Sequence, residues 1–378
     1  MSEKELIRVL LVSKPLAPPW NDSSKNLAKD IAVHAKGIQF NIMTTRTYSF
    51  PFSHIQSEPV YQTTGTYAPG LKQNAKVFMR MLQADPEISV YHFFFAPNPL
   101  TSTVLKWALK FKRKKILHTI CSEPKSYKGI KKLVFADKVV ALSEDTRDKL
   151  RAQGVENVVC IRPGIEMGSS VKGSTNNPYQ SYKSDGKLNI LFSGDYEYSG
   201  AHQVIVSSLE EIFNTLSNAR IIFACRPKTR RAFEIERELL NTIRQMGFEE
   251  KVVFLNEVPN MLDLIEIADF AVFPAISLYH KMDMPLVLLE CLAREVPLVV
   301  SHLPSLEILG TEGAALLISP HQRREFAQAV IRLGQDSALR KTMGEKGRRL
   351  VESEFNIQKI SEQYEALYRE LGTRVNAS

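Results

Sequence analysis

Short apolar runs alternate with amphipathic stretches along nearly the whole chain. Runs at 9–12, 40–44, 90–95, 115–120, 138–142 and 158–161 have the length and apolar content of strands buried on both faces. Helical periodicity fills the gaps. Leu27, Ala28, Ile31 and Ala32 share one face after the first run, and Ser143 is placed to cap a helix reaching about residue 153. Between residues 167 and 187 the periodicity stops, and Ser, Asn, Gly, Tyr and Lys dominate. A second series then begins at 188–192. It continues with a helix carrying Ile205, Leu209, Ile212 and Leu216, and with strands at 220–224, 252–255, 270–273 and 298–300. The tail reads as helical from 324 and ends in a helix over 357–371. This alternation predicts an α/β protein with two Rossmann-like parallel-sheet domains, 1–168 and 188–356, joined by a linker over 169–187. Ligands of such sheets bind beyond the carboxyl ends of the strands, so a cleft between the halves is the expected site.

The segment from Phe270 to Glu290 carries the most chemical information. A buried strand (Phe270 to Phe273) runs through Pro274 into a polar loop, and a helix opens near Pro285. Proline suits the first helical position, where its missing N–H costs nothing, and Asp283 is close enough to cap that start. Leu286, Leu289 and Ala293 recur at helical spacing, which leaves Glu290 as the one acid in an apolar turn. The free amides of a helix start suit a phosphate, and a carboxylate one turn further in can grip the two hydroxyls of a ribose. The segment is suited to a nucleoside diphosphate.

At 378 residues the chain exceeds one ordinary core, and its 44% hydrophobic and 24% charged content is globular. No apolar run is long enough to span a bilayer, and the first residues do not form a signal peptide. Cys121, Cys160, Cys225 and Cys291 lack metal-ligand or CxxC spacing, so reduced thiols in a cytoplasmic protein are expected. Charge is uneven. Residues 1–170 hold 25 Lys/Arg against 14 Asp/Glu, whereas the remainder is slightly acidic within a net charge of +8. The first half therefore expects an anionic partner. Its densest stretch contains Lys106, Lys110, Lys112, Arg113, Lys114 and Lys115, with Trp107 and Phe111 one helical turn apart and Lys125, Lys128, Lys131 and Lys132 nearby. Either an anionic membrane surface or plain solvation of a helix end accounts for it. Nucleic acid is not expected, because no binding motif accompanies the charge.

Several loops hold further candidates. After the first strand, prolines stiffen residues 14–20, and Asn21, Ser23, Ser24 and Lys25 either cap the next helix or present it to a substrate. His92 and His118 are expected near strand ends. A hydrogen-bonded structural role competes with a functional one at both, and Cys121, Ser122 and Glu123 crowd polar groups beside His118. Residues 192–200 join strand to helix through Gly194 and Gly200, a turn able to bring amides against a phosphate. Arg226 and Lys228 precede a helix and can neutralise a diphosphate, as can Lys281, whereas Arg230 and Arg231 can face solvent. No metal-ligand spacing is present.

Taken together, these residues resemble the GT-B fold nucleotide-sugar glycosyltransferases, specifically glycosyltransferase family 4. The likeness covers nearly the whole chain and is strongest from Ala136 to Glu166 and from Ile267 to Glu307. It implies an acceptor-binding first domain, a donor-binding second domain, and a last helix packed back on the first. In the family the second glutamate of a Glu-x7-Glu motif contacts the donor ribose, and Glu290 matches it. The first glutamate falls at Met282, so the resemblance leaves the sugar to Asp283 or to backbone amides. It places Gly194, Tyr196, Ser277, Met282, Met284 and Pro285 with Glu290 and Lys281 in the donor set. The family's diphosphate-binding Arg and Lys are missing from the loop holding Asp195 and Ser199, so their task falls to Arg226, Lys228 or Lys281. The acceptor-domain histidine aligns with Cys121, near His118, and Ser23 and Ser24 replace a Gly-Gly pair. The implied activity is transfer of a sugar from a nucleoside-diphosphate sugar, UDP- or GDP-linked, to a hydroxyl of a glycan or lipid-linked acceptor. Configuration is retained, and no cofactor beyond the donor is needed. Asp283, Arg226, Lys228 and His118 are the catalytic candidates. A catalytically silent nucleotide-sugar-binding protein is the alternative, as is a GT-B enzyme of other chemistry, an epimerase or phosphorylase. The expected place is the cytoplasm or the inner face of the plasma membrane.

Overall fold

The computed structural model describes residues 6–62, 70–83, 85–109, 114–124, 126–167 and 177–373. It divides into two compact units, one of residues 1–166 and 355–378, the other of residues 167–354.

The first unit contains β1 (Arg8–Val12), α1 (Ser23–His34), β2 (Gln39–Thr45), β3 (Ile55–Tyr61), α2 (Leu71–Leu82), β4 (Ile88–Phe94), α3 (Pro99–Leu109), β5 (Lys115–Ile120), β6 (Lys138–Ala141), α4 (Glu144–Ala152) and β7 (Val158–Cys160). The second contains α5 (Gln180–Ser184), β8 (Leu188–Ser193), α6 (Ala201–Thr215), β9 (Ala219–Ala224), α7 (Arg230–Gln245), β10 (Val252–Phe254), α8 (Met261–Ile265), β11 (Phe270–Phe273), α9 (Leu286–Ala293), β12 (Leu298–Ser301), α10 (Glu307–Thr311), β13 (Ala315–Ile318), α11 (Arg323–Gln335) and α12 (Ser337–Glu354). The last helix, α13 (Ile357–Thr373), belongs to the first unit.

Every strand pairing among the described residues is parallel. The sheet orders are β3-β2-β1-β4-β5-β6-β7 and β10-β9-β8-β11-β12-β13. Both sheets are covered on two faces, which is why their central strands read as continuous apolar runs. The winding direction reverses between β1 and β4 in one unit and between β8 and β11 in the other. At such a reversal, neighbouring loops leave in opposite directions and open a crevice at the carboxyl ends of the strands.

Sequence patterning did not reveal β3. Its residues include Glu58 and Pro59, and the pairing with β2 slips between Met43 and Thr45, opposite Pro59. β3 is an edge strand, where a residue without an N–H is tolerated. Ser143 does cap α4, accepting from the Thr146 amide at 3.1 Å.

Helix α13 packs against α1, β4 and β5. Its return is guided by a bridge between Ile165 and Asn356, and by Gly164, where a Cβ would lie 2.9 Å from the Ile357 Cα. Beneath it is a buried polar chain. His92 Nδ1 meets the Tyr368 hydroxyl at 2.7 Å, His92 Nε2 meets Thr119 Oγ1 at 2.8 Å, and Thr119 Oγ1 meets the Tyr364 hydroxyl at 3.2 Å. His92 is therefore a structural residue of the core.

The basic stretch of the first unit is partly tied down. Lys114 Nζ donates to the Pro86 carbonyl at 3.2 Å, and Lys115 pairs with Asp137 at 3.2 Å. Lys110, Phe111, Lys112, Arg113 and Lys125, with the Trp107 side chain, lie outside the described residues. Among the described residues no helix is long and apolar enough to cross a membrane.

Candidate functional site at the switch point of the second sheet

Strands β8 and β11 are neighbours at the reversal, and the loops that follow them converge. The β8–α6 loop is built around Asp195. Its Oδ1 accepts from the amides of Glu197 at 2.8 Å, Tyr198 at 2.5 Å and Ser199 at 3.4 Å, the self-bonding for which aspartate is favoured in turns. Its Oδ2 lies 2.9 Å from Lys281 Nζ, which comes from the loop after β11. Burial alone would raise the Asp195 carboxyl, but the Lys281 ammonium and the loop amides outweigh it and hold the group at about 2. The same two loops meet again where the Ile276 amide donates to the Ser199 carbonyl at 2.7 Å. Gly200 takes a φ of +67°, a conformation that favours glycine, and a Cβ there would lie 2.6 Å from the flexible end of Ile276. The rings of Tyr198 and His280 stand 4.6 Å apart and complete the contact at the surface.

A third loop joins from β9, the neighbour of β8. Thr229 caps α7, and its hydroxyl donates to Glu197 Oε2 at 2.7 Å. Arg226 is half-buried in this loop, and Lys228 is exposed. Arg230 and Arg231 sit on the α7 surface, each paired with Glu234, which accords with a solvated face.

The β11–α9 loop differs in detail from the sequence expectation. Helix α9 begins at Leu286, with Pro285 as its N-cap. Asp283, Met282, Met284 and Pro285 are buried. Ser277 Oγ accepts from the Tyr279 amide at 2.9 Å and shapes the turn. Along α9, residues Leu286, Leu288, Leu289, Cys291, Leu292 and Ala293 are buried, whereas Glu290 is half-exposed one turn in.

Two features of this loop cluster were not legible in the sequence. Lys281 is matched to Asp195, a long-range pairing that no local pattern encodes. Three buried polar atoms, Tyr196 Oη, Ser199 Oγ and His202 Nδ1, also have no protein partner. Burial raises the Tyr196 hydroxyl and lowers the His202 imidazole, so both stay neutral near pH 7. Gly194 lies at the head of the same loop, immediately after β8. Among the described residues no group of three or more His, Cys, Asp or Glu is placed to hold a metal.

In the first unit, the loop after β1 reaches α1 through Asp22. This residue is the N-cap, accepting from the Lys25 amide at 3.2 Å and from Ser24 Oγ at 2.6 Å, with Lys14 Nζ 2.6 Å away. Burial opposes ionisation of Asp22, but Lys14 and these donors hold it at about 2. Asn21 is exposed and Ser23 half-buried. The Lys25 side chain is buried, its Nζ donating to the Pro19 carbonyl at 3.0 Å, so it braces the loop.

The expectation for His118 is corrected. The residue lies within β5, which continues to Ile120, and is fully buried, with Nε2 at 2.9 Å from the Phe95 carbonyl and its ring against Phe95 and Phe135. Burial pushes it down to about 4 against the opposing pull of that carbonyl. It is a core imidazole and does not reach the surface. Cys121 is buried as well, its thiol 3.5 Å from the Thr119 carbonyl, whereas Ser122 is half-exposed at the strand end.

Residues 187–336, which contain the whole switch-point cluster, match the family of glycosyl transferases group 1. The N-acetyl-alpha-D-glucosaminyl L-malate synthase of Bacillus anthracis is 28% identical over 131 residues, 34% of this chain and 33% of that protein. The chain thus matches about a third of the length of this curated relative. Over the full fold, a sucrose-phosphate synthase from Thermosynechococcus elongatus superposes with a TM-score of 0.78 at 18% identity, covering 97% of this chain and 100% of that one. Anabaena HepE, solved with UDP and glucose, gives 0.73 at 16% identity, covering 95% and 98%.

Proposed function

As a GT-B protein whose residues 187–336 belong to the group 1 glycosyl transferases, this chain, we propose, moves a sugar from a nucleoside-diphosphate sugar to a hydroxyl acceptor with retention of configuration. One observation carries the reading: the matched segment holds a strand-order reversal where Lys281 and the amides of the β8–α6 loop converge. Amides and an ammonium at the carboxyl end of a parallel sheet are the donors a diphosphate needs. Glu290 on α9 supplies a carboxylate for the ribose hydroxyls, and Arg226 and Lys228 supply further charge. Asp283 or the loop amides receive the sugar.

In this reading the bond from the sugar's anomeric carbon to phosphate breaks as the acceptor oxygen bonds on the same face. The acceptor's proton passes to the departing phosphate. The protein contributes position and charge stabilisation and no covalent nucleophile. A uridine nucleotide is the first donor to test, because HepE was solved with UDP, and GDP is the second. The positive surplus of the first half supports an anionic, lipid-linked or envelope glycan acceptor, and peripheral contact with an anionic membrane.

Calorimetry tests the donor assignment. UDP or GDP should bind the wild type, and Glu290→Ala should weaken that binding at least tenfold; equal affinity removes Glu290 from the site. Donor turnover with release of nucleoside diphosphate tests the transfer, and the anomeric configuration of the product tests retention. For the membrane, substitution of the exposed Lys106, Lys128 and Lys132 by Ser should reduce co-sedimentation with anionic vesicles, and unchanged sedimentation ends that part of the reading. A second reading, nucleotide-sugar binding without transfer, is favoured by Asp195, an acid in the loop where a diphosphate would rest.

A further inference from the structure

We propose that the Asp195 carboxylate is a built-in stand-in for the donor's phosphate, so that residue 195 sets the affinity of the switch-point loops for a diphosphate. The inference rests on the preceding reading only for the chemical class of the anion.

Four positive groups converge on this one side chain: three consecutive amides of the β8–α6 loop donate to Oδ1, and the Lys281 ammonium forms an ion pair with Oδ2 at 2.9 Å. Successive backbone N–H groups with a cation opposite form an anion cradle. Here the chain itself furnishes the anion. The pair is mostly withdrawn from solvent, with side-chain exposures of 17% for Asp195 and 24% for Lys281, so the attraction is poorly screened.

The cradle does not depend on Asp195 alone for its shape. The Ile276 amide holds the Ser199 carbonyl, Gly200 is packed on Ile276, and Thr229 holds Glu197. These contacts keep the amides in place when the carboxylate leaves. Ser199 Oγ and Tyr196 Oη, wholly buried in the same loop, have no protein partner.

A diphosphate and the carboxylate cannot share the cradle, because two anions at such a distance repel. An arriving diphosphate must displace Asp195 from Lys281, and the cost of breaking that pair is subtracted from its affinity. Neutralising residue 195 removes the competitor and leaves the cation. Asp195→Asn retains an Oδ1 acceptor for the loop amides and loses the charge.

Inorganic pyrophosphate is the direct probe, measured by calorimetry on the full chain. Asp195→Asn should bind it at least tenfold more tightly than the wild type, and the double variant Asp195→Asn/Lys281→Met should lose the gain. UDP should shift in the same direction, whereas uridine, without phosphate, should not shift. Asp195→Ser, which retains a short oxygen acceptor, serves as a second variant should the first fail to fold. Equal or weaker pyrophosphate binding by the neutralised protein overturns the proposal. The two readings separate cleanly. UDP binding that depends on Glu290 but gains nothing from Asp195→Asn sinks the cradle alone. A pyrophosphate gain without nucleotide affinity in either protein sinks the nucleotide-sugar reading alone.

Discussion

His92 Nδ1 stands 2.7 Å from the Tyr368 hydroxyl, joining strand β4 to helix α13 across 276 positions of sequence. Both side chains are wholly buried. Tyr368→Phe retains the ring, including its edge contact with Phe40, and removes only the hydroxyl. A buried nitrogen left without its partner costs about 1–3 kcal/mol. The variant should unfold at correspondingly lower urea concentration; an unchanged midpoint would show that the bond contributes nothing to stability.

His118 makes stability depend on pH. Burial pushes its imidazole down to about 4 from an ordinary 6.5, so the folded protein holds it neutral. The unfolded chain takes up the proton first. The stability that depends on the neutral form is therefore whole above about pH 6.5 and is lost as pH falls toward 4. His92, lowered well below 6.5 by burial and by His118, acts in the same direction. Asp22 and Asp195, held at about 2 against an ordinary 3.8, lose their contribution only at lower pH. Urea midpoints measured at pH 7.5 and 5 should differ for the wild type, and the difference should shrink in His118→Gln.

Helix α12 meets the turn after α9 at Gly344 and α9 itself at Gly347. A methyl group there would run into the backbone carbonyl of Glu295, a residue with a φ of 59° that has little freedom to yield. At Gly347 the obstacle is the flexible end of Leu292, 2.6 Å from where a Cβ would stand. Gly344→Ala should therefore cost about 1–3 kcal/mol, and Gly347→Ala less. Thermal unfolding of the two variants side by side measures the order, and the reverse order would mean that the α12–α9 contact is looser than its geometry.

Lys281 and Arg230 separate a positioned cation from a solvated one. Lys281→Met should lower nucleoside-diphosphate affinity at least tenfold, whereas Arg230→Ala, whose side chain is 95% exposed, should leave it within twofold. Equal losses in calorimetry would argue for a diffuse field in place of a built site.

Periodicity made the fold legible where one face of an element is apolar: Leu27, Ala28, Ile31 and Ala32 all turn inward on α1. It gave no side-chain direction where both faces are buried. The bounds of β5 at 115–120 were legible, but in a strand covered on two sides alternation gives no clue to which way His118 points. It failed as well at β3, where Glu58 and Pro59 break the apolar run. Lys281 was legible as a cation in a polar loop, but its match to Asp195 depends on β8 and β11 lying side by side, which only the assembled sheet provides. Local patterning sets Pro285 one position too far into α9, because its fixed φ of −59° suits the N-cap as well as the first turn.

Because α13 completes the unit that β1 begins, the polypeptide must finish its second compact body before the first can close. During synthesis, β4 and β5 emerge with His92 and Thr119 waiting for tyrosines that lie beyond the whole second unit in the sequence. The early half of the molecule is thus a nascent sheet with an unfinished face, and the final helix is the step that seals it.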